Sequence, residues 1–443
     1  MKRFWIVIVI LILAAGAVAA WWVQRNALPW TTDSPEALAE LQAGLDSWMK
    51  FYYPEAQTQL ERAVELDPDF VAPRIFLLEV VPDREARERL VSELRRADPP
   101  KLNRRERFLL HNLLLRRDGD TEQADRALED YLRTHPTDPF ALNEACGIAW
   151  DRQEFDHARS LYERLIEVDP NWVRARNNLG YVAMALGRFE EAERQFETYA
   201  YIAPDQPNPH DSMAELLTLL GRYDEARDQL ERALALRPDF CLSYAHLLMV
   251  EILSGQMDHA AEIPDRARRH CDEQAAKELA CALQSWNAAV EAAPAEVWAR
   301  IPEDCRDPAR LQGPGPRAAL AAGDREAFWS YLERLQGILE ENRKAGRQLA
   351  ALRGVIAHYE GIAAFASGHL EMAAHKLEAA DGALTYHGID DGALKLANRA
   401  DLARVQDLLG DPDAAGRTRA SITEVNPAFL EIGDRVPLYS AWP

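Results

Sequence analysis

A chain of 443 residues, 48% of them hydrophobic, can bury a large core, and its length leaves two or three globular domains or one solenoid with a tail. A net charge of −21, from 72 acidic against 51 basic residues, excludes general affinity for nucleic acid, whose phosphates would be repelled. Five cysteines without a C-x-x-C pair or a Cys/His cluster of zinc spacing exclude the common structural zinc sites.

The first predicted element is apolar. Met1-Lys2-Arg3 precede an uncharged run from Phe4 to Val23, which as a helix spans about 30 Å, the thickness of a hydrocarbon core. Trp21 and Trp22 stand at its far end, where aromatic rings favour the membrane interface. The basic residues ahead of the run place the N-terminus in the cytoplasm and the rest of the chain outside it. Residues 1–30 are therefore expected to be a signal-anchor. The competing expectation is a cleaved signal peptide, because Ala17-Val18-Ala19 has the small-x-small pattern of a cleavage site. Both readings export the rest of the chain.

From residue 31 to 290 the chain repeats itself. Alanines 56, 124, 158, 192 and 226 fall on a 34-residue grid, and prolines 68, 136, 170, 204 and 238 keep the same grid twelve residues behind. The clearest unit, Val173–Gln206, predicts two antiparallel helices. Leu179 and Gly180 sit where they approach, Gly187 ends the first with a positive φ, and Ala192, Phe196 and Tyr199 face the core of the second. Pro139–Trp172, Pro207–Phe240, Ala37–Phe70 and Arg105–Asp138 follow the same grammar. Residues 71–104 keep the length but not the signature, and read as a degenerate unit. In the unit from Cys241 to about Gln274, Pro264 is expected to break or shorten the second helix. Between Arg84 and Arg117, eleven basic residues stand against five acids. This stretch reads as a solvated face paired with acidic neighbours, or as a patch for an acidic partner or lipid head groups.

Pro294, Pro302, Pro308, Pro314 and Pro316 interrupt the pattern, so residues 291–323 are expected to be a linker. Helical periodicity returns over 324–443, with repeat-like residues in Gly354–Asp381 (Gly361, Gly368, Ala373, Leu377, Ala380) and a weaker unit in Leu396–Pro427. The final VPLYSAWP has no helical pattern. Cys146 occupies a small-residue packing position and reads as a buried hydrophobe. In an oxidising compartment the remaining four cysteines allow a disulfide, Cys271–Cys281 being one pairing, and the sequence leaves open whether it forms.

On these residues the chain resembles a tetratricopeptide repeat protein over roughly 34–274, and the run from Asn177 to Ala226 resembles the repeat arrays of bacterial membrane-anchored regulators and kinases. The resemblance implies an all-α solenoid of helix–turn–helix units in a right-handed superhelix, about seven units before residue 290, following an N-terminal transmembrane helix. It implies a concave groove lined by the first helix of each unit. The family's contact positions fall here on Asn143, Glu144 and Trp150, then on Arg174, Asn177, Asn178, Tyr181 and Met184, then on Asn208, Asp211, Ser212 and Glu215. Asn178 stands where the family uses asparagine to bond a peptide backbone, although Asn177 and Asn178 could instead bond between helices. The groove lacks the family's carboxylate-clamping lysines, so the expected ligand is a polar protein or peptide of some basic character.

Catalysis is not expected. The chain has no G-x-S-x-G, H-E-x-x-H, P-loop or G-x-G-x-x-G. His210-Asp211-Ser212 are adjacent and face different sides of a helix. His358, His369 and His375 lie close in sequence, but His369 falls in a turn, and neither a metal nor a cofactor is expected. The sequence thus predicts a non-enzymatic scaffold in a bacterial inner membrane, its bulk in the periplasm, binding an envelope protein or peptide in the groove. The alternative is a sensory domain that modulates a membrane kinase or transporter through movement of two helical arrays across residues 292–322.

Overall fold

The computed structural model describes residues 30–306, 314–344 and 349–431. The expected membrane span over residues 4–23 and the terminal VPLYSAWP lie outside them, and no helix among the described residues is long and apolar enough to cross a membrane. The described residues form twenty-two α-helices and no strand, and they fall into two compact units that divide between Pro136 and Thr137.

The first unit holds three helical pairs: α1 (Pro35–Met49) with α2 (Tyr53–Leu66), α3 (Ala72–Val80) with α4 (Arg84–Leu94), and α5 (Arg104–Arg117) with α6 (Thr121–Thr134). The helices start where short polar side chains can bond free N–H groups. Ser34 accepts from Ala37, Asp83 from Ala86, and Asn103 forms a reciprocal capping box with Glu106. The degenerate unit survives as the short pair α3/α4. Its signature is missing, but Val71, Ile75, Leu78, Val91 and Leu94 still form an apolar cluster with Leu102 and Leu110. In the basic stretch, Arg95 pairs with Asp118, Arg116 lies 3.0 Å from Asp125, and Arg105 sits over the Trp30 ring.

The second unit begins with four pairs: α7 (Pro139–Asp151) and α8 (Phe155–Val168), α9 (Val173–Ala185) and α10 (Phe189–Ile202), α11 (Asn208–Leu219) and α12 (Tyr223–Leu236), α13 (Leu242–Ser254) and α14 (Met257–Arg268). It continues with α15 (Glu273–Glu291), α16 (Pro294–Arg300), α17 (Gly315–Ala321), α18 (Arg325–Lys344), α19 (Ala350–Ala366), α20 (Leu370–Ala383), α21 (Gly388–Leu408) and α22 (Pro412–Thr423). One packing device recurs. A Cβ on Gly44 would meet Leu60 at 2.8 Å, one on Gly361 would meet Leu377 at 2.8 Å, and one on Gly180 would enter the Phe196 ring. Bare glycine on the first helix lets a large side chain of the second reach the backbone. Pair α19/α20 therefore repeats the geometry of the clearest units. Gly187 turns between α9 and α10 with φ 71°, and in the preceding unit Gln153 adopts φ 57° at the equivalent turn.

Two expectations need correction. The proline-rich segment expected as a linker over 291–323 forms helices α16 and α17 where it is described. Val297, Ile301 and Ala318 are fully buried, and Trp298 donates to Asp324 at 2.9 Å. The prolines begin these helices rather than breaking them, since the first turn has no N–H bond for proline to lose. The compact units divide instead at Pro136/Thr137, where the 34-residue grid runs on unbroken and leaves no compositional mark. The disulfides are Cys241–Cys271 and Cys281–Cys305, with Cα separations of 5.8 and 5.2 Å, and not Cys271–Cys281. Cys271 precedes α15 and Cys281 lies inside it. Ten residues mostly along a helix separate Cα atoms by roughly 14 Å, beyond the reach of a disulfide. Pro264 does not break α14, which runs on four residues beyond it, but the helix has 12 residues where α8, α10 and α12 have 14, so the second helix of this unit is shortened as expected. Cys146 is fully buried, and burial raises its thiol far above the usual range.

Candidate functional site

The inner helices α7, α9, α11 and α13 present one residue row each to a common concave face, and the start of α21 lies against it. Gly392 on α21 would carry a Cβ 2.7 Å from Leu219 of α11, and Asn426, beyond α22, donates to the Tyr223 hydroxyl at 3.2 Å. The last helical pair thus packs onto the middle of the array. Between them remains an open pocket of about 490 Å³, lined by Trp150, Asn177, Asn178, Tyr181, Glu215, Leu242 and His246 on one side and by residues 387–391 on the other.

Its wall is a hydrogen-bonded network. Asn177 Oδ1 accepts from Ser212 Oγ at 3.0 Å and lies 3.5 Å from Asn208 Nδ2. Asn178 donates to the Tyr162 hydroxyl at 3.0 Å. The Tyr181 hydroxyl donates to Glu215 and lies 3.0 Å from Ser212 Oγ. The second Glu215 oxygen accepts from the backbone N–H of Ile389 at 3.1 Å, so the carboxylate ties α9 and α11 to the start of α21. Beneath it, Asp211 accepts from Ser243 Oγ at 2.6 Å, and His246 Nδ1 lies 3.1 Å from both Asp211 oxygens.

This geometry sets the charges. Burial alone would lower the His246 pKa, but the carboxylates of Asp211 and Glu215 outweigh it and raise it to about 9, so His246 is an imidazolium at neutral pH. Burial raises Glu215 and, together with the neighbouring Asp390 carboxylate, lifts Asp391 to about 6. Burial lowers His387, which is neutral and rests on the Trp150 ring with centroids 4.7 Å apart. Ligand atoms of Asp211, Glu215 and His246 lie within 4.8 Å of one another, the spacing of a metal-binding set. In this arrangement the His246 proton supplies the positive charge that a metal would bring, and both carboxylates already accept hydrogen bonds.

Of the residues predicted for the groove, Trp150, Asn177, Asn178, Tyr181 and Glu215 line the cavity. Asp211 and Ser212 lie buried behind it and hold its wall. Asn143, Glu144, Arg174 and Asn208 are half-buried and do not line it. Met184 is fully buried in the apolar core, so its assignment to the groove is corrected; it stands on the core side of α9. The adjacent His210, Asp211 and Ser212 point to three different helices, with His210 2.7 Å from Gln229 of α12. His358 is buried against Asn398, and burial holds its pKa down near 4. Sequence reasoning missed Leu242, His246 and residues 387–391. His246 follows Asp211 by 35 residues, about one repeat, and that spacing was a usable signal. Residues 387–391 lie outside the repeat grid and carried none.

Two family models match the chain, both described as tetratricopeptide repeat, over residues 148–207 and 211–237. These segments are tetratricopeptide repeats, and the described fold is an all-helical solenoid of that type. Among curated proteins no match was found. Among solved structures the chain is similar to a tetratricopeptide repeat protein from Parabacteroides merdae at 14% identity, covering 68% of this chain and 98% of that one, with a TM-score of 0.38. MamA from Desulfovibrio magneticus RS-1 is 17% identical over 37% of this chain and 92% of that one, with a TM-score of 0.34. PilF from Pseudomonas aeruginosa is 19% identical over 53% of this chain and 91% of that one, with a TM-score of 0.30.

Proposed function

We propose that the chain is a non-enzymatic binding module, a scaffold that captures a partner protein or peptide on the concave face of α7, α9, α11 and α13. The observation that carries this reading is the pocket of about 490 Å³ walled by successive repeats and, on its other side, by residues 387–391 of the same chain. Tetratricopeptide repeats serve as protein-interaction surfaces, and stacked units offer an extended concave face. The start of α21, seated on this face at Glu215 and Leu219, interrupts the groove and favours a loop or terminus inserted from outside over an extended peptide laid along its whole length. Residues 4–23 anchor the scaffold in a bacterial inner membrane, with the repeats in the periplasm. The Cys241–Cys271 and Cys281–Cys305 disulfides support an oxidising compartment.

Crosslinking in native membranes tests the reading. Leu242 lines the cavity and is 52% exposed, so Leu242→Trp should fill the mouth without disturbing the core. Loss of the captured partner by a variant with unchanged melting supports the groove. Unchanged capture rules the groove out.

A second reading, modulation of a membrane kinase or transporter, draws on one contact. Glu215 is hydrogen-bonded to Ile389, so a ligand that displaces residues 387–391 would release the last helical pair from the array. Scattering with and without ligand checks this, and identical profiles count against it.

A further inference from the structure

The cavity carries more negative charge than its own cation can balance. Glu215, Asp390 and Asp391 line it, with Asp211 directly behind. His246 is the one cation among the lining residues, and its charge is shared first with Asp211 and Glu215 and then, more weakly, with Asp390. Among the described residues, neither Asp390 nor Asp391 makes an ion pair or a side-chain hydrogen bond. Both stand in the first turn of α21, where the helix dipole favours carboxylates, and that accounts for their tolerance there. It does not account for their sharing a cavity with a third carboxylate and with the aromatic side chains of Trp150 and Tyr181.

We propose that this cavity selects a primary ammonium or guanidinium group carried on a flexible alkyl stem. The inference rests on the reading of the concave face as a binding surface and names the chemistry that surface takes. A volume of about 490 Å³ falls in the range of small-molecule pockets and is far larger than a bare ion needs. The carboxylates at the mouth would pair with the charged head. Trp150 and Tyr181 would cover the stem and add cation–π attraction. An anion would meet an uncompensated negative field, and a neutral group would leave that field unanswered. The same chemistry is offered by a lysine or arginine of a partner's inserted segment and by a free diamine.

The test is calorimetric titration of the full chain with four probes: cadaverine, a short lysine-containing peptide, the same peptide with glutamine in place of lysine, and glutarate. The lysine peptide or cadaverine should bind, more weakly as salt rises, and glutarate and the glutamine peptide should not. Asp391→Asn, at a half-buried carboxylate, should weaken the cationic probe about tenfold, and Asp390→Asn, at an exposed one, should weaken it by less. Tighter binding of the peptide assigns the site to a partner's basic side chain, and tighter binding of cadaverine assigns it to a free amine. Glutamine peptide or glutarate binding as tightly as the cations overturns the inference. So does unchanged cation binding by the Asp390/Asp391 double variant, or no cation binding at all. A protein whose partner capture is lost in Leu242→Trp but which binds no cationic probe would keep the groove and discard this charge assignment. Stability loss in the Asn variants with unchanged binding would leave the two carboxylates with a helix-terminus role only, and would also overturn it.

Discussion

Replacing His246 with glutamine should destabilise the unit Thr137–Pro443 by about 3 kcal/mol at neutral pH and by far less near pH 10. The magnitude comes from the site. His246 is 9% exposed and Asp211 1%, so the charges are held in a medium that screens them poorly. The folded pKa stands near 9, against 6.5 for an exposed histidine, and each unit of that difference is worth about 1.4 kcal/mol. The sign follows from proton binding. The folded state holds the proton more tightly than the unfolded one, so the stabilisation is complete below pH 6.5 and is lost as pH rises through 9. Glutamine can still donate to Asp211, so the variant lacks the charge but keeps a hydrogen bond. It leaves Asp211 and Glu215 facing each other without a cation, with Asp390 nearby. For a unit of this size the loss corresponds to about 5 °C in melting temperature. The assay is thermal unfolding of wild type and variant by circular dichroism across the pH range, compared pairwise so that other titrating groups cancel. Equal melting at pH 7, or a difference that persists undiminished near pH 10, would refute the assignment of a buried imidazolium.

Two further stability predictions concern the array itself. Gly187 has φ 71°, and a Cβ added there would have no atom within 4 Å, so Gly187→Ala should cost only backbone strain, about 1–2 kcal/mol, read as a melting shift of a few degrees with unchanged ligand binding. Cys241 and Cys271 close a loop of 30 residues, so reducing that bridge, or replacing both cysteines with serine, should lower stability by about 3–4 kcal/mol. Melting with and without reductant checks this, and insensitivity of the double-serine variant to reductant beyond the effect of the second bridge isolates the contribution.

The repeat register was legible because it rests on local steric rules. Gly180 against Phe196 and Gly361 against Leu377 are the same close approach, and a glycine sixteen residues ahead of a large apolar side chain marks it in the sequence as in the fold. Prolines were legible only in part. Pro170 and Pro204 follow helices and Pro294 and Pro316 begin them, and composition does not separate the two uses; only the position of the free N–H groups does. The groove row on α9 and α11 followed from the repeat grid, but the other side of the cavity did not. Asp390 and Asp391 reach it through a packing of α21 on α11 that no periodicity encodes. Met184 failed for a simpler reason. The family's contact row passes the end of α9, where the helix has turned its next residue into the core.

The hydrogen bond from Ile389 to Glu215 spans 174 residues, and it changes how the array can evolve. In an open solenoid each repeat meets only its neighbours, so whole repeats can be gained or lost with little penalty. Here the closure acts like a ruler. One 34-residue insertion between Glu215 and Ile389 would carry the start of α21 past its seat on α11 and leave the inner face of that helix uncovered. The number of units between those two residues is thus fixed by geometry, whereas repeats added before Pro139 would meet no such constraint.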